Sequence, residues 1–253
     1  MTIYGKSAFS LARDLFYDPK GEIPGRTADW EEAKQKGIAL VDKYMGTFTG
    51  LKAWIDNDKR FAYEHGYSCT MFGRRRRLPN LKSRVDALRA NAERQAVNAP
   101  IQGTGSDLTM LSLISINQQL KDAGMKSMLV ATVHDSLVMD VYIPEIPRVV
   151  ELVKSTMSHV HEKYIDTPVP IDADVELGAS YGEVYGISPE VAQTLGTPEA
   201  YREWLHSQRL KKYTKEMGML HDKGWTKQQV IDYLQQYHRP EAELRESLEA
   251  LYL

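Results

Sequence analysis

One aspartate lies at the predicted tip of a β-hairpin. Residues 128–133 and 137–143 are apolar runs typical of strands, and His134, Asp135 and Ser136 separate them. Strand pairing would fix the backbone of Asp135 while its carboxylate faces solvent, where Mg²⁺ can keep most of its waters. Phosphoryl transfer needs metal ions held by carboxylates in this way. Asp and His are also ordinary turn residues, so position alone favours a plain turn.

A polar series precedes this hairpin. A spacing of seven places Arg84, Asn91 and Asn98 on nearly one face of a helix. Arg94 lies at the edge of that face, and Gln102 lies just beyond the expected end of the helix. Such side chains can donate hydrogen bonds to the minor-groove acceptors that every base pair presents. The alternative is a solvated helix face.

Basic residues are concentrated around the same region. Between residues 74 and 94 there are eight Lys and Arg residues and two acidic residues, although the net charge of the chain is −2. The run 74–77 consists of four arginines, which could neutralise nucleic-acid phosphates. For this run alone, a charged edge strand is the favoured interpretation.

Helices and a hairpin are expected before the polar series. Ser7 can cap a short helix that ends at Phe16, and further helices are predicted from Asp29 to about Tyr44 and from about Gly50 to His65. Residues 67–71 and 75–78 predict a β-hairpin whose second strand carries the arginines.

The helix that carries the polar series is expected to be interrupted. It should run from about Ser83 to near Asn98, because Pro100 lacks an amide donor and disfavours helical geometry at the residue before it. Residues 102–105 would then form a turn. Residues 106–123 predict a second helix with apolar residues around much of its surface, which indicates a core helix.

The remaining pattern predicts an α+β fold followed by helices alone. Residues 146–164 predict an amphipathic helix, and residues 168–177 predict a strand that closes the sheet. Three N-terminal helix signals follow, at Ser188, Thr197 and Thr226. We therefore place a domain boundary near residue 187, with a mixed portion over 1–187 and an all-helical extension over 188–253.

Composition indicates a globular protein of the cytoplasm, or of the host cytoplasm if the source is viral, without a membrane partner. The chain has 253 residues, 42% of them hydrophobic, and no apolar run approaches the roughly 18 residues that span a bilayer. Its start has no basic segment or cleavage site typical of a secretion signal. The single cysteine, Cys69, cannot pair within the chain and predicts neither a disulfide nor a thiolate metal site.

Several blocks of sequence occur in an order and spacing that point to one family. They are Phe72-Gly73-Arg74-Arg75-Arg76, Leu78-Pro79-Asn80-Leu81, the run 92–104 that contains Asn98-Ala99-Pro100-Ile101-Gln102-Gly103, and Val133-His134-Asp135. Together they resemble the family A (DNA polymerase I-like) DNA polymerases. Residues 3–9 resemble the segment that follows the nucleotide-binding helix of the fingers, so the resemblance covers residues 3 to about 180.

The resemblance implies a polymerase palm with an antiparallel sheet, part of the fingers, and a role for each matching residue. Asp135 would be a palm metal ligand, and His134 would touch the primer near its 3′ end. Tyr4 and Gly5 would sit at the nucleotide and templating position. The DNA contacts would come from Arg74, Arg75 and Arg76 on the backbone, and from Arg94, Asn98 and Gln102 on the nascent pair and minor groove.

The implied reaction is attack of the primer 3′-hydroxyl on the α-phosphate of a dNTP, with two Mg²⁺ ions and release of pyrophosphate. Two features depart from the family. Ser136 stands where the family usually has Glu. The family's other metal-binding Asp and its fingers helix belong upstream of Tyr4, and one carboxylate cannot bridge two metal ions about 4 Å apart. We therefore expect a split, phage-type polymerase that is inactive alone. A second polypeptide would supply the thumb, the remaining palm and the fingers.

Two other functions stay open: a non-catalytic DNA-binding remnant, and an interaction or structural protein that retains the palm fold. The extension over 188–253 also has two interpretations. The favoured one is a small helical bundle packed on the palm. The other is a docking element for the polymerase partner or another replication protein, with Arg209, Lys211, Lys212 and Lys215 as possible DNA-backbone contacts.

Overall fold

The computed structural model describes residues 8–237 and 241–252. The chain divides into two compact units. Unit 1 contains the described residues up to Leu111 together with 161–166, and unit 2 contains 112–160 and the described residues from Thr167 onward. Each unit has a core of its own. The combination of helices with small antiparallel sheets confirms the predicted α+β class.

Unit 1 begins with helices. Helix α1 (Ala8–Leu11) continues into a π-helical turn (Ala12–Phe16), as expected apart from Ser7, which lies outside the described residues. Helix α2 (Trp30–Thr47) starts where Asp29 accepts hydrogen bonds from the first free amides, and helix α3 (Thr49–His65) ends at Gly66 in the left-handed conformation. Both confirm the predicted helical pair.

The predicted hairpin of unit 1 is also confirmed. Strands β1 (Tyr67–Cys69) and β2 (Arg75–Arg77) pair antiparallel. The chain then enters a 3₁₀ turn (Pro79–Lys82). The core beneath consists of small and aliphatic side chains from α3, from the 3₁₀ turn and the residue before it, and from the next helix: Ala62, Leu78, Leu81, Ala92 and Ala96.

The predicted interruption of the next helix is wrong. Helix α4 runs without a break from Asp86 to Asp122, through Pro100 and through the expected turn at 102–105. An interior proline costs roughly 3 kcal/mol. Burial of Ala96, Val97 and Ala99 along the same stretch offsets that cost, so tertiary packing outweighs the local signal.

The second half of α4 is less buried than its sequence predicts. Ile116 and Leu120 lie in the core of unit 2, whereas Ile114 is exposed. Residues 106–123 are therefore not a separate core helix. They are the end of α4, and only one side of this stretch is covered.

In unit 2, strands β3 (Met128–Val133) and β4 (Ser136–Asp140) form the predicted hairpin. One side of the hairpin packs against α4 and against helix α5 (Ile146–His159), with Leu129, Leu137 and Val149 in the contact. Glu145 holds the start of β3, because its carboxylate accepts hydrogen bonds from the amides of Lys126 and Ser127 and from the Ser127 hydroxyl.

The strand predicted over 168–177 is wrong. The chain has no regular structure until β5 (Glu176–Ser180), which pairs with β6 (Glu183–Gly186) in a sheet of its own. Pro168 and Pro170 lack the amide that a ladder requires. Within the described residues, the strands form three separate two-stranded sheets, so no strand closes a larger one.

Helices follow β6, as predicted. They are α6 (Pro189–Ala192), α7 (Pro198–Asp222), α8 (Lys227–Gln236) and α9 (Glu241–Leu251). The predicted caps Ser188, Thr197 and Thr226 each accept a backbone hydrogen bond at a helix start. Met217, Val230 and Leu244 join α7, α8 and α9 in one core, and Ala192 packs with Ile146 of α5. The domain boundary near residue 187 stays a prediction.

Candidate nucleic-acid interface and metal-binding carboxylate

The β1–β2 hairpin carries arginines on both of its faces. The pairing register sets Ser68 opposite Arg76 and Cys69 opposite Arg75. Because side chains alternate along a strand, Arg74 and Arg76 lie on one face and Arg75 lies on the other. The arginines that were predicted to contact the DNA backbone therefore lie on two different faces of the hairpin.

The face of the hairpin that carries Arg74 and Arg76 is hydrogen-bonded to one turn of α4. Nε of Arg74 donates to Oδ1 of Asp107 at 2.6 Å, and Nη2 of the same arginine donates to the carbonyl oxygen of Gly103 at 3.0 Å. The amide of Met71 donates to Oγ1 of Thr104 at 3.0 Å. A Cβ at Gly103 would lie 2.5 Å from Cγ2 of Thr70, so glycine is what allows this approach.

A pocket of about 230 Å³ lies between the hairpin and α4. Four predicted DNA-binding residues line it: Arg74, Arg75, Arg76 and Gln102. Ser68 also lines it. That residue is only 3% exposed, and its hydroxyl has no hydrogen-bond partner among the described residues. Guanidinium, amide and hydroxyl donors around one concave surface suit an anion such as a phosphate group.

The three arginines differ in how they are held. Arg74 is engaged by Asp107, as described above. Cζ of Arg75 lies 4.7 Å from the centre of the Tyr67 ring, a cation–π contact. Arg76 is exposed and forms no ion pair within the part of the chain that the structure describes. Arg74 therefore positions the hairpin, while Arg76 is available to an incoming anion.

The other polar residues of the series are only partly grouped as predicted. Asn91 and Asn98 lie on α4, but Arg84 precedes its first residue, so the predicted common face does not include that arginine. Arg94 is exposed and donates to Oδ1 of Asn91 at 3.3 Å. Asn98 is half-buried, and neither it nor Arg94 lines the pocket.

Asp135 stands at the exposed tip of the β3–β4 hairpin, as predicted. Val133 and Ser136 are paired, so the loop consists of His134 and Asp135 alone. His134 adopts a left-handed conformation with φ of 55°, and the Ser136 hydroxyl donates to the carbonyl oxygen of Val133 at 2.8 Å. Both loop side chains face solvent on a fixed backbone. Tyr4 and Gly5 lie outside the described residues.

The donor chemistry at this tip fits a magnesium ion only in part. A carboxylate oxygen is the kind of ligand that Mg²⁺ prefers. No cluster of three or more His, Cys, Asp or Glu side chains that could hold a metal occurs in residues 8–237 and 241–252. A site at Asp135 would therefore need ligands from elsewhere.

Sequence reasoning missed the residues that hold this interface together. Gly103, Thr104 and Asp107 were assigned to a turn and to the start of a separate helix because of Pro100. A glycine within a helical stretch is itself a signal of close backbone approach, which is its role here.

Within residues 8–237 and 241–252, no helix combines the length and apolar character of a membrane span.

Three comparisons with known proteins agree. Residues 1–183 match the model of DNA polymerase family A. The DNA polymerase of Bacillus phage SP01 is 34% identical over 241 residues, covering 93% of this chain and 24% of that protein. DNA polymerase I of Chloroflexus aurantiacus is 35% identical over 182 residues, covering 72% of this chain and 17% of that enzyme. The match to the phage protein therefore continues past residue 187.

A solved structure is also similar. The POL domain of Pol1 from M. smegmatis, in complex with DNA primer-template and dNTP, is 33% identical with a TM-score of 0.56. The match covers 68% of this chain and 27% of that one. The chain thus spans about a quarter or less of the length of the two curated relatives. It belongs to DNA polymerase family A.

Proposed function

We propose that this chain is the palm-containing part of a template-directed DNA polymerase that adds dNMP to a primer 3′-hydroxyl. The observation that carries the proposal is the convergence of Arg74, Arg76 and Gln102 on one pocket, formed by the segment that matches the polymerase family. The similar M. smegmatis domain was solved with primer-template DNA and dNTP, which supports these as substrates here.

Each predicted site residue has a proposed role. Arg74, Arg75 and Arg76 hold the DNA backbone, while Arg94, Asn98 and Gln102 contact the nascent pair and the minor groove. His134 contacts the primer end, and Tyr4 and Gly5 contact the nucleotide and template. Asp135 is the residue of this chain that would hold Mg²⁺. When bound, Mg²⁺ supplies charge stabilisation for the transferred phosphoryl group.

We further propose that a second polypeptide completes the enzyme with the thumb, the remaining palm and fingers, and the other metal-binding Asp. Strand β3 supports this proposal, because it pairs only with β4 within the described residues and exposes Met128 (58%) and Val130 (63%). An apolar strand with an open edge is a surface suited to a partner. A phage relative that covers 93% of the chain fits a viral replicative enzyme.

A tagged pull-down from the cells that naturally produce the chain tests the two-chain assembly. Moderate salt and added nuclease would remove proteins bridged by DNA, and mass spectrometry would identify what remains. The proposal expects a stoichiometric partner that carries the missing metal-binding Asp and fingers residues. Recovery of folded bait without such a partner would contradict the two-chain assembly.

A further inference from the structure

Aromatic side chains and an arginine form a cluster beside the β1–β2 hairpin, and the arginine, Arg75, also lines the pocket. Phe61 and His65 stack at the end of α3 with ring centres 4.1 Å apart and planes 20° apart. The Tyr67 ring lies 5.5 Å from Phe61, edge to face, and carries the Arg75 guanidinium 4.7 Å from its centre. These four residues are called the aromatic–arginine cluster below.

The cluster is accessible although its members are aromatic. Phe61 is 37% exposed, His65 and Arg75 are exposed, and Tyr67 is half-buried. Phe61 is not among the buried residues of the unit 1 core. Aromatic rings dominate protein cores because they bury a large apolar area. Stacked rings left at the surface therefore offer their faces to a ligand.

The rings are also held in place. Nδ1 of His65 donates to the carbonyl oxygen of Phe61 at 2.9 Å, which fixes the imidazole above the phenyl ring. The cation–π contact with Arg75 holds the Tyr67 ring in its orientation. A planar ligand would find these groups already oriented, so less side-chain entropy is lost on binding.

The surrounding charge favours a polyanion. Between residues 66 and 85 there are six Lys and Arg residues and no Asp or Glu. Arg75 and Arg76 both line the pocket, and Arg75 also lies beside the rings. A chain of phosphates can follow the arginines while planar groups attached to it reach the cluster. Stacked aromatic rings beside a cationic track are the usual means of binding unpaired bases.

We propose that the aromatic–arginine cluster binds the bases of single-stranded nucleic acid. The inference rests on the proposed function, in which the single strand is the unpaired part of the template. Duplex bases are stacked on one another and hide their faces. A single strand exposes those faces, so the cluster distinguishes unpaired from paired DNA without reading sequence.

Fluorescence anisotropy with the full chain tests this proposal. The probes are a labelled single-stranded oligo(dT) and a labelled blunt duplex, each titrated at several salt concentrations. Phe61→Leu keeps an apolar side chain but removes the ring face, whereas Phe61→Tyr keeps the ring. Phe48, an exposed aromatic residue next to the start of the same helix, provides the matched control Phe48→Leu.

Phe61→Leu should weaken oligo(dT) binding by about 5- to 150-fold, the range for one lost stacking contact, while Phe61→Tyr and Phe48→Leu stay close to wild type. Duplex affinity and the salt dependence of binding should not change, because the phosphate contacts remain. Equal weakening of duplex and single strand, or no weakening of either, would overturn the inference.

The result also separates this inference from the proposed function. If the wild-type chain binds the duplex but not oligo(dT), the inference is contradicted and the polymerase proposal is unaffected. A folded chain that binds neither probe contradicts both. Circular dichroism and thermal unfolding of each variant identify any that fail to fold, and the Phe61→Tyr variant provides the folded comparison.

Discussion

Nε of Arg74 lies 2.6 Å from Oδ1 of Asp107, and this ion pair joins the β1–β2 hairpin to α4. The aspartate side chain is 17% exposed and the arginine side chain is 56% exposed. Arg74 thus uses part of its hydrogen-bonding capacity within the protein. Its main contribution to the pocket is to place Arg76 and Ser68 beside Gln102 of α4.

Removal of this ion pair should loosen the interface. Asp107→Ala is expected to lower the free energy of unfolding by about 1 kcal/mol, because the pair is charge-assisted but partly exposed. DNA affinity should fall several-fold, since Arg76 and Gln102 no longer share a fixed geometry. Asp122→Ala, at the exposed end of the same helix, serves as the control. Equal DNA affinities for the two variants would contradict a positioning role for Asp107.

Two glycines of α4 should respond oppositely to alanine. Gly103→Ala is expected to destabilise the protein by about 1–3 kcal/mol, because the new methyl group would meet buried Thr70 at 2.5 Å. Nothing lies within 4 Å of a Cβ at Gly105, so Gly105→Ala should stabilise by about 1 kcal/mol through helix propensity. Thermal unfolding of both variants checks this pair. Stabilisation by both would mean that the hairpin does not approach α4 closely.

A fall in pH should weaken the hydrogen bonds that hold the start of β3. The Ser127 hydroxyl bond, followed by the Lys126 amide bond, holds the pKa of Glu145 below its ordinary value. A folded-state pKa below the unfolded one adds stability above the unfolded pKa, and that stability is lost as pH falls through the folded pKa. Glu145→Gln should therefore be less stable than wild type at pH 7, with a smaller difference at about pH 3.

Denaturant unfolding at both pH values measures this effect. Other carboxylates with lowered pKa, including Glu183 and Glu190, make the wild type acid-sensitive in any case, so the difference between variant and wild type is the relevant quantity. Glu151→Gln, exposed on α5, is the control. A stability difference for Glu145→Gln that does not depend on pH would count against this role of the carboxylate.

The helical extension contains an arginine whose role is structural. Arg209 makes two hydrogen bonds to the carboxylate of Glu183, at 2.5 Å and 2.8 Å, and hydrogen bonding to Arg209 is the main cause of the lowered pKa of Glu183. Arg209→Ala should destabilise the protein by about 1–2 kcal/mol without a specific loss of DNA affinity.

Lys211 and Lys215 are exposed on the same helix, so the double change to Ala should leave stability unaltered. This double variant should have a lower DNA affinity only if the helical extension contacts the DNA backbone. These point variants are preferable to deletion of the extension, which would uncover Ile146 and Val150 of α5.

Local signals predicted many elements and failed where packing competed with them. The caps at Asp29, Ser188, Thr197 and Thr226 were readable because a side-chain oxygen bonds an amide two or three residues away. Pro100 was misinterpreted because its cost is local, whereas the compensating burial of Ala96 comes from packing with Ala62, Leu78 and Leu81, which are distant in sequence.

The candidate site was predictable in its residue types and less so in its arrangement. The arginine run and the hairpin at Asp135 follow from residue type and spacing alone. The division of the arginines between two faces depends on the hairpin register, and the role of Arg74 depends on Asp107, which lies 33 residues away in the chain. Such contacts between distant residues are not visible in a single sequence.

Primer extension by the chain together with its partner polypeptide tests the central claim most directly. Asp135→Ala should abolish extension with little loss of DNA affinity, because the proposed role of the carboxylate is to hold metal rather than DNA. Asp140→Ala, at the other end of the same hairpin, should extend primers like wild type. Extension by the Asp135→Ala complex at the wild-type rate would contradict a catalytic role for this chain.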